Sequence, residues 1–194
     1  MGYHAIVFGL FLCVAFALLL RLYLSLYPTK HIAVARIGIL TSLSIVLGIV
    51  EALIPDFMVP GVKLGFPNIV ILLLLCYGDK KEALLISLIR VLLIGLLRGN
   101  LFQMGGLMSL SGAVSSFLIM FIIKTLFKKA SPVFVSVLGA IAHSSAQLLV
   151  AAFFFGTFGV FYYLPIMGLL SMLTGAISGL IVVLSSRKLK PFLH

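Results

Sequence analysis

The sequence predicts an all-α integral membrane protein, and two observations support this prediction. Of the 194 residues, 63% are hydrophobic and only 9% are charged, whereas about a quarter of the residues in soluble domains are charged. The apolar residues form long runs, most of them near the roughly 20 residues that a helix needs to span a bilayer. The net charge of +10 is spread over short connections, which argues against a nucleic-acid-binding face.

The first apolar run, residues 3–26, is predicted to be a retained transmembrane helix rather than a signal peptide. A signal peptide carries basic residues before its apolar run and a small-residue cleavage site after it. Here no lysine or arginine precedes the run, and no clear Ala-x-Ala site follows it. We therefore expect residues 1–30 to form an amino-terminal membrane segment and residues 31–194 to form the main membrane domain.

Six further apolar runs follow, and proline, glycine and charged residues separate them. Pro55 closes the second run of the chain, and Tyr77-Gly78-Asp79 closes the third, which is shorter than the others. The sixth begins at Ser131-Pro132. These runs predict helices over residues 36–54, 65–78, 81–98, 101–127, 132–156 and 161–186.

The loops between seven such spans differ strongly in basic residues, and this difference predicts the orientation of the chain. One side would carry only Lys63 and Arg98, with the amino terminus outside and the carboxyl terminus in the cytoplasm. The cytoplasmic side would carry Arg21, Lys30, Arg36, Lys80, Lys81, Lys124, Lys128, Lys129, Arg187, Lys188 and Lys190.

Arg90 is the strongest pointer to function because it lies in the middle of an apolar run. The nearest charged residues, Glu82 and Arg98, are eight positions away on either side. At about 1.5 Å per residue, Arg90 lies roughly 12 Å from each end of its helix. A guanidinium at that depth costs from about 3 to more than 10 kcal/mol. A protein group or a ligand is therefore expected to compensate this charge.

Other polar residues are expected near Arg90 in the outer half of the membrane. His143 and Gln147 are four positions apart and share one helix face. They either form hydrogen bonds between helices or contact a ligand, and their depth favours a cavity shared with Arg90. Glu51 lies one turn before the end of its helix. The turn-rich loop that follows carries Lys63 and ends near Asn68, and it is either a lid or an ordinary connection.

Small residues repeat every four positions on several helices, which lets helices approach closely. Most of these stripes are expected to pack internally, and one is a candidate docking surface for another membrane subunit. The stripes are Gly38 and Ser42, then Gly105, Ser109 and Ala113, and finally Ser171, Gly175 and Gly179.

The sequence carries no motif for catalysis, for a metal or for a cofactor. It has four acidic residues in total, with no paired-carboxylate motif for magnesium and diphosphate. It has no Walker A sequence and no nucleophile elbow, and its two cysteines lack the spacing of a metal site. An enzyme with His143 as general base is the weakest interpretation, so we expect no enzymatic activity.

Several segments together resemble a known family over residues 36–186. The family is the Gx transporter family, also known as heptaprenyl diphosphate synthase component I, which is similar to the S components of energy-coupling factor (ECF) transporters. The segments are Glu51-Ala-Leu-Ile-Pro55, Pro60-Gly-Val-Lys-Leu-Gly65 with Asn68, Leu88-Ile-Arg90-Val-Leu, Leu110-Ser-Gly112, His143-x-x-x-Gln147, Leu164-Pro165 and Thr174-Gly175.

The resemblance implies an S-component-like bundle of six helices, to which residues 1–30 add a seventh span. It implies a cavity open to the exterior and capped by the loop after the first bundle helix. It also implies a prokaryotic cell membrane and three partners, namely a transmembrane coupling protein and two cytoplasmic ATPases.

Two functions are compatible with these observations. The first is binding and uptake of a small, anionic, vitamin-like molecule or a cofactor or quinone precursor. Its site would comprise Arg90, His143, Gln147, Asn68, Glu51 and Lys63. Arg90 would meet the anion, or Glu51 when the site is empty. The alternative is a non-catalytic membrane anchor or assembly subunit for a prenyl diphosphate synthase of quinone biosynthesis or for a flavin-based redox system.

Overall fold

The fold of the described part of the chain is entirely helical, as the sequence predicts. The computed structural model describes residues 31–53 and 65–193, with side chains described for residues 34–51 and 65–186. In these ranges there is no strand. The helices are α1 His31–Leu53, α2 Asn68–Tyr77, α3 Lys80–Leu97, α4 Met104–Leu126, α5 Pro132–Phe155, a 3₁₀ segment Phe158–Tyr163, and α6 Leu164–Leu193.

The helix boundaries follow local capping chemistry. The Asp79 side chain accepts a hydrogen bond from the Lys81 amide at 2.7 Å and begins α3. The Ser131 hydroxyl accepts one from the Phe134 amide at 3.2 Å and begins α5. Such caps satisfy amides that have no partner inside the helix. The predicted boundaries agree with α2–α5 within a few residues, whereas the last predicted helix starts as a 3₁₀ segment.

Four helical stretches of the described chain are long and apolar enough to cross a membrane. They are Val34–Glu51, Met104–Leu126, Pro132–Phe155 and Phe158–Ser186. These stretches agree with the predicted class of an integral membrane protein. The count of seven spans and the orientation stay predictions, and the predicted helix over residues 3–26 lies outside the described residues.

The helix α2 is short, as its apolar run predicts, and it is shorter than the predicted range of residues 65–78. Its 10 residues extend about 15 Å, half the roughly 30 Å thickness of the hydrocarbon core. All six residues from Val70 to Leu75 are buried, and α2 packs against α3, α4, α5 and α6. Its continuous apolar run therefore reflects burial within protein on every side. The packing places the amino-terminal end of α2, which begins at Asn68, among the other helices.

The contact between α5 and α6 depends on two glycines of the last small-residue stripe. A Cβ atom at Gly175 would lie 2.8 Å from the Cα of Val137, and one at Gly179 would lie 2.5 Å from the Cα of Val133. The third member of the stripe, Ser171, shares a hydrogen bond with Ser144 of α5. This stripe therefore serves internal packing, the first of the two roles that the sequence allowed.

The connection between α5 and α6 is aromatic and uncharged. Gly156 ends α5 with a left-handed φ of 62°, and the exposed side chains include Phe158 at 84% and Tyr162 at 88%. No charged residue occurs from residue 130 to residue 186. Aromatic residues are enriched at the membrane–water interface, so this end of the described bundle is expected to lie at a bilayer surface.

Substituting Gly179 by alanine is expected to destabilise the protein, because the new methyl group would meet the backbone of Val133. Overpacking of this kind costs about 1–3 kcal/mol, which lowers Tm by roughly 2–4 °C per kcal/mol. Thermal unfolding of the purified protein in detergent measures the change. Gly168→Ala on the same helix is the matched control, since nothing lies within 4 Å of a Cβ there. Equal melting temperatures for the two variants would contradict the packing described.

A tryptophan in place of Phe158 is expected to report an interfacial position. The chain contains no tryptophan, so a single Trp gives an unambiguous fluorescence signal. In vesicles, Phe158→Trp should be quenched most by lipids brominated close to the headgroup. Leu118→Trp, at a half-exposed position in the middle of α4, should be quenched most by lipids brominated deep in the acyl chains. Quenching of Phe158→Trp by aqueous iodide alone would place the connection in water.

Candidate functional site

The site begins with a tight turn that leads into α2. Gly65 has a φ of 85°, a left-handed conformation that favours glycine. Its carbonyl accepts a hydrogen bond from the Asn68 amide at 2.9 Å. A Cβ at Gly65 would also lie 3.0 Å from the Asn68 side-chain nitrogen. The turn thereby brings Asn68, the first residue of α2, into contact with three other helices.

The side chain of Asn68 connects these helices through both ends of its amide. Its Oδ1 accepts a hydrogen bond from Arg90 Nη2 of α3 at 2.9 Å. Its Nδ2 donates to Ser116 Oγ of α4 at 3.1 Å and lies 3.5 Å from His143 Nδ1 of α5. A guanidinium only donates hydrogen bonds, so the amide oxygen must face Arg90. Arg90 therefore fixes the amide orientation.

The imidazole of His143 lies between two side-chain amides. Its Nδ1 lies 3.5 Å from Asn68 Nδ2, and its Nε2 lies 3.1 Å from the side-chain nitrogen of the buried Gln147. The polar contacts thus connect Arg90 through Asn68 and His143 to Gln147.

Arg90 is almost completely buried, with 3% of its surface exposed. Its hydrogen bond to Asn68 uses one Nη2 proton, and its Nε has no hydrogen-bond partner among the described residues. Glu51 is close enough for its negative charge to stabilise the guanidinium. Buried donors without partners are costly. The Nε–H group of Arg90 is therefore the donor of the site that would gain most from a hydrogen bond to a ligand.

Arg90 lines a small cavity together with residues from several helices. The space open to water-sized molecules is about 40 Å³, which is room for a few waters. The polar side chains around it, besides Arg90, are Glu51, Asn100, Ser109 and His143. Asn68 and Gln147 do not line the cavity. Asn68 contacts Arg90, and Gln147 contacts His143.

Glu51 has a second role besides facing Arg90. Its Oε1 accepts hydrogen bonds from the backbone amides of Gly65 and Phe66, the latter at 3.2 Å. The carboxylate therefore ties the turn before α2 to the end of α1. The sequence predicted Glu51 as a site residue that meets Arg90 when the site is empty. It did not predict this contact of Glu51 with the turn.

The structure brings five of the six predicted site residues into one region. Lys63, the sixth, lies outside the described residues, as does most of the loop predicted as lid or connection. The contacts place the five residues together, whereas their part in binding a ligand stays a prediction. The five are Glu51, Asn68, Arg90, His143 and Gln147.

Two residues of α4 contribute to the site: Ser116 was not identified from the sequence, and Gly112 was noted only within the motif Leu110-Ser-Gly112. Ser116 binds Asn68, and Gly112 lies against the imidazole of His143, where a Cβ would come within 2.7 Å of the ring. These residues are four positions apart and form a small-residue pair of their own. The sequence signal was therefore present, but neighbouring small residues such as Ala113 fit the same pattern.

A comparison with protein families identifies the group to which the chain belongs. A family model described as heptaprenyl diphosphate synthase component I matches residues 40–184, which are 145 of the 194 residues. The chain belongs to the heptaprenyl diphosphate synthase component I family. No curated protein and no solved structure matches the chain. The family predicted from the sequence motifs is thus confirmed, and the similarity to ECF S components stays a prediction.

The match to the heptaprenyl diphosphate synthase component I family includes the whole described site. It begins in α1 before Glu51 and ends in α6, so every hydrogen bond described above lies within it. The amino-terminal residues 1–39 lie outside it. The described site therefore lies within the part of the chain that the family model matches.

Replacing Gly112 by alanine is expected to displace the imidazole of His143 and to break its contacts with Asn68 and Gln147. The expected destabilisation is about 1–3 kcal/mol, measured by thermal unfolding. The ¹⁵N NMR spectrum of histidine-labelled protein should show changed ring-nitrogen shifts for His143. Gly105→Ala is the control on the same helix, because its Cβ would lie 3.6 Å from the Asn100 side chain. An unchanged His143 spectrum in Gly112→Ala would contradict this geometry.

Proposed function

We propose that the protein is the substrate-binding membrane subunit of an uptake system for a small anionic solute, such as a vitamin-like molecule or a cofactor or quinone precursor. The observation that carries the proposal is the Arg90 guanidinium, which is buried, lines a cavity and keeps Nε without a hydrogen-bond partner in the described structure. An anionic group in the cavity would supply the missing acceptor and offset the cost of burying the charge.

A purely structural role for Arg90 is less consistent with its surroundings. A structural arginine in a protein interior usually shares several donors with carboxylates or carbonyls. Arg90 instead donates to one neutral amide oxygen, that of Asn68. Glu51, the acidic residue in the lining of the same cavity, uses one carboxylate oxygen to accept hydrogen bonds from the amides of Gly65 and Phe66. The guanidinium therefore retains hydrogen-bonding capacity for a further acceptor.

The small volume of the cavity bears on how a solute would enter. About 40 Å³ is far below the roughly 300–1,000 Å³ of typical ligand pockets. In the proposed function, the described arrangement is a contracted one, and the cavity widens when a solute enters. The walls that would have to move are the ends of α1 and α3 at Glu51 and Ile94 and the connection between α3 and α4 at Asn100.

Transport would need energy from other subunits, because the sequence has no P-loop to hydrolyse ATP. We propose an ECF-type arrangement in a prokaryotic cell membrane, with a transmembrane coupling protein and two cytoplasmic ATPases as partners. The chain itself would be non-catalytic and would bind no metal or cofactor.

The family description favours a second candidate function. A component of heptaprenyl diphosphate synthase could be a non-catalytic membrane anchor or assembly subunit for such an enzyme. In that case Arg90 would stabilise the fold, and no small molecule would be held beside it.

Native mass spectrometry of the gently purified protein tests the proposed function. We expect a bound small anion in the wild type and in Arg98→Gln, where the exposed arginine at the end of α3 is changed. Arg90→Gln should lose it, since removing one partner of a buried charge pair costs about 2–5 kcal/mol, or roughly 30-fold or more in affinity. Arg90→Lys, which keeps the charge, should show intermediate occupancy.

Two results would contradict uptake as the function. One is equal occupancy by the same ligand in the wild type and in a folded Arg90→Gln variant. The other is a protein that carries no small molecule and instead co-purifies with a prenyl diphosphate synthase, which would support the anchor function.

A further inference from the structure

We propose that the group bound by Arg90 is a single carboxylate rather than a phosphate or diphosphate. This inference rests on the proposed function, because it specifies the chemistry of the solute that the same site would hold. It follows from the charge of the cavity, from the hydrogen-bond donors that remain available and from the size of the space.

The charge around the cavity tolerates an anion with one negative charge better than an anion with two or three. Among its described lining residues, Arg90 is the one cation and Glu51 the one acid, so the pair is neutral in total. A carboxylate would add one negative charge beside Arg90. A phosphate monoester or a diphosphate would add about two or three, and unbalanced charges interact strongly where water is largely excluded.

The backbone donors that a phosphate would use are already occupied. Phosphate groups are commonly held by several consecutive backbone N–H groups at the start of a helix. The amides of Gly65 and Phe66 before α2 both donate to Glu51 Oε1. The first amides of α2, those of Asn68 and Ile69, donate to the carbonyls of the same turn. These backbone groups are therefore not available to a phosphate, which leaves side-chain donors for the ligand.

The remaining donors match the two oxygens of a carboxylate. A guanidinium offers pairs of parallel N–H groups that fit a carboxylate edge-on. The hydrogen bond from Arg90 Nη2 to Asn68 holds the guanidinium plane, while Nε has no partner in the described structure. Asn68 is thus a positioning residue. The Ser109 hydroxyl donates to the Gly105 carbonyl at 2.8 Å, so it adds no free donor of the kind a phosphate needs.

The size of the space beside Arg90 also favours a carboxylate over a phosphate or a diphosphate. About 40 Å³ holds a few waters, and a carboxylate has about the same number of heavy atoms. A diphosphate would need the walls to move before its charged end could reach Arg90. A carboxylate is smaller than a phosphate or a diphosphate, so its contact with Arg90 requires less of the widening that entry of a solute involves.

Thermal unfolding of the detergent-purified full chain with simple anions tests the proposal. The probes are acetate and benzoate against inorganic phosphate and pyrophosphate, all compared with chloride at equal ionic strength. We expect the carboxylates to raise Tm saturably, by about 2–4 °C at roughly five times their Kd, in the wild type and in Arg98→Gln. Phosphate and pyrophosphate should match chloride. In Arg90→Gln the carboxylate effect should disappear.

If Arg90→Gln does not fold, Arg90→Lys provides the same comparison, since lysine keeps the charge but lacks the planar pair of donors. We expect carboxylate affinity at least tenfold weaker in that variant. Stabilisation by phosphate or pyrophosphate that depends on Arg90, without an effect of carboxylates, would overturn the carboxylate assignment while leaving anion binding intact. No Arg90-dependent stabilisation by either carboxylate would also overturn it. The proposed function is judged separately, by whether the purified protein carries an Arg90-dependent ligand.

Discussion

The hydrogen bond between Arg90 and Asn68 is the interaction on which the other features of the site depend. A charged group within an apolar bundle is tolerated only where hydrogen bonds or opposite charges surround it. Here the charge meets the first residue of a short helix that is buried on every side. The guanidinium fixes the direction of the Asn68 amide, whose nitrogen then faces Ser116 and His143. One buried arginine thus orders polar groups on α2, α4 and α5.

The unusual shape of α2 makes this arrangement possible. A helix that crossed the whole bilayer would have both ends near water, whereas a helix of 10 residues has its first residue among other helices. The Gly65 turn and the carboxylate of Glu51 hold that first residue in place. Glu51 contributes a fixed negative charge and also removes two backbone donors from the cavity. The same contacts therefore position α2 and determine which polar groups face the cavity.

Much of this arrangement followed from the sequence, and the exceptions have physical causes. The apolar runs and their breakers predicted the described helices well, and the isolated charge of Arg90 led to Asn68, His143, Gln147 and Glu51. The spans were less predictable, because an apolar run such as that of α2 looks the same whether lipid or protein covers it. Ser116 and the role of Gly112 were missed because small residues are common on packed helix faces. The contacts of Glu51 with backbone amides depend on a turn that residue types alone do not specify.

The uncharged stretch that contains α5, the aromatic connection and α6 has a consequence for how the protein is made. A pair of helices without a single charge from residue 130 to residue 186 can leave the translocation machinery together and enter the lipid as one hairpin. The close approach at Gly175 and Gly179 lets the two helices associate there before other contacts form. The helices that carry Glu51, Glu82 and Arg90 are made earlier, and the helix of Arg90 packs on α2 and α4. The charge of Arg90 is therefore covered first by its own neighbours, and the uncharged hairpin joins last, through its contacts with α2.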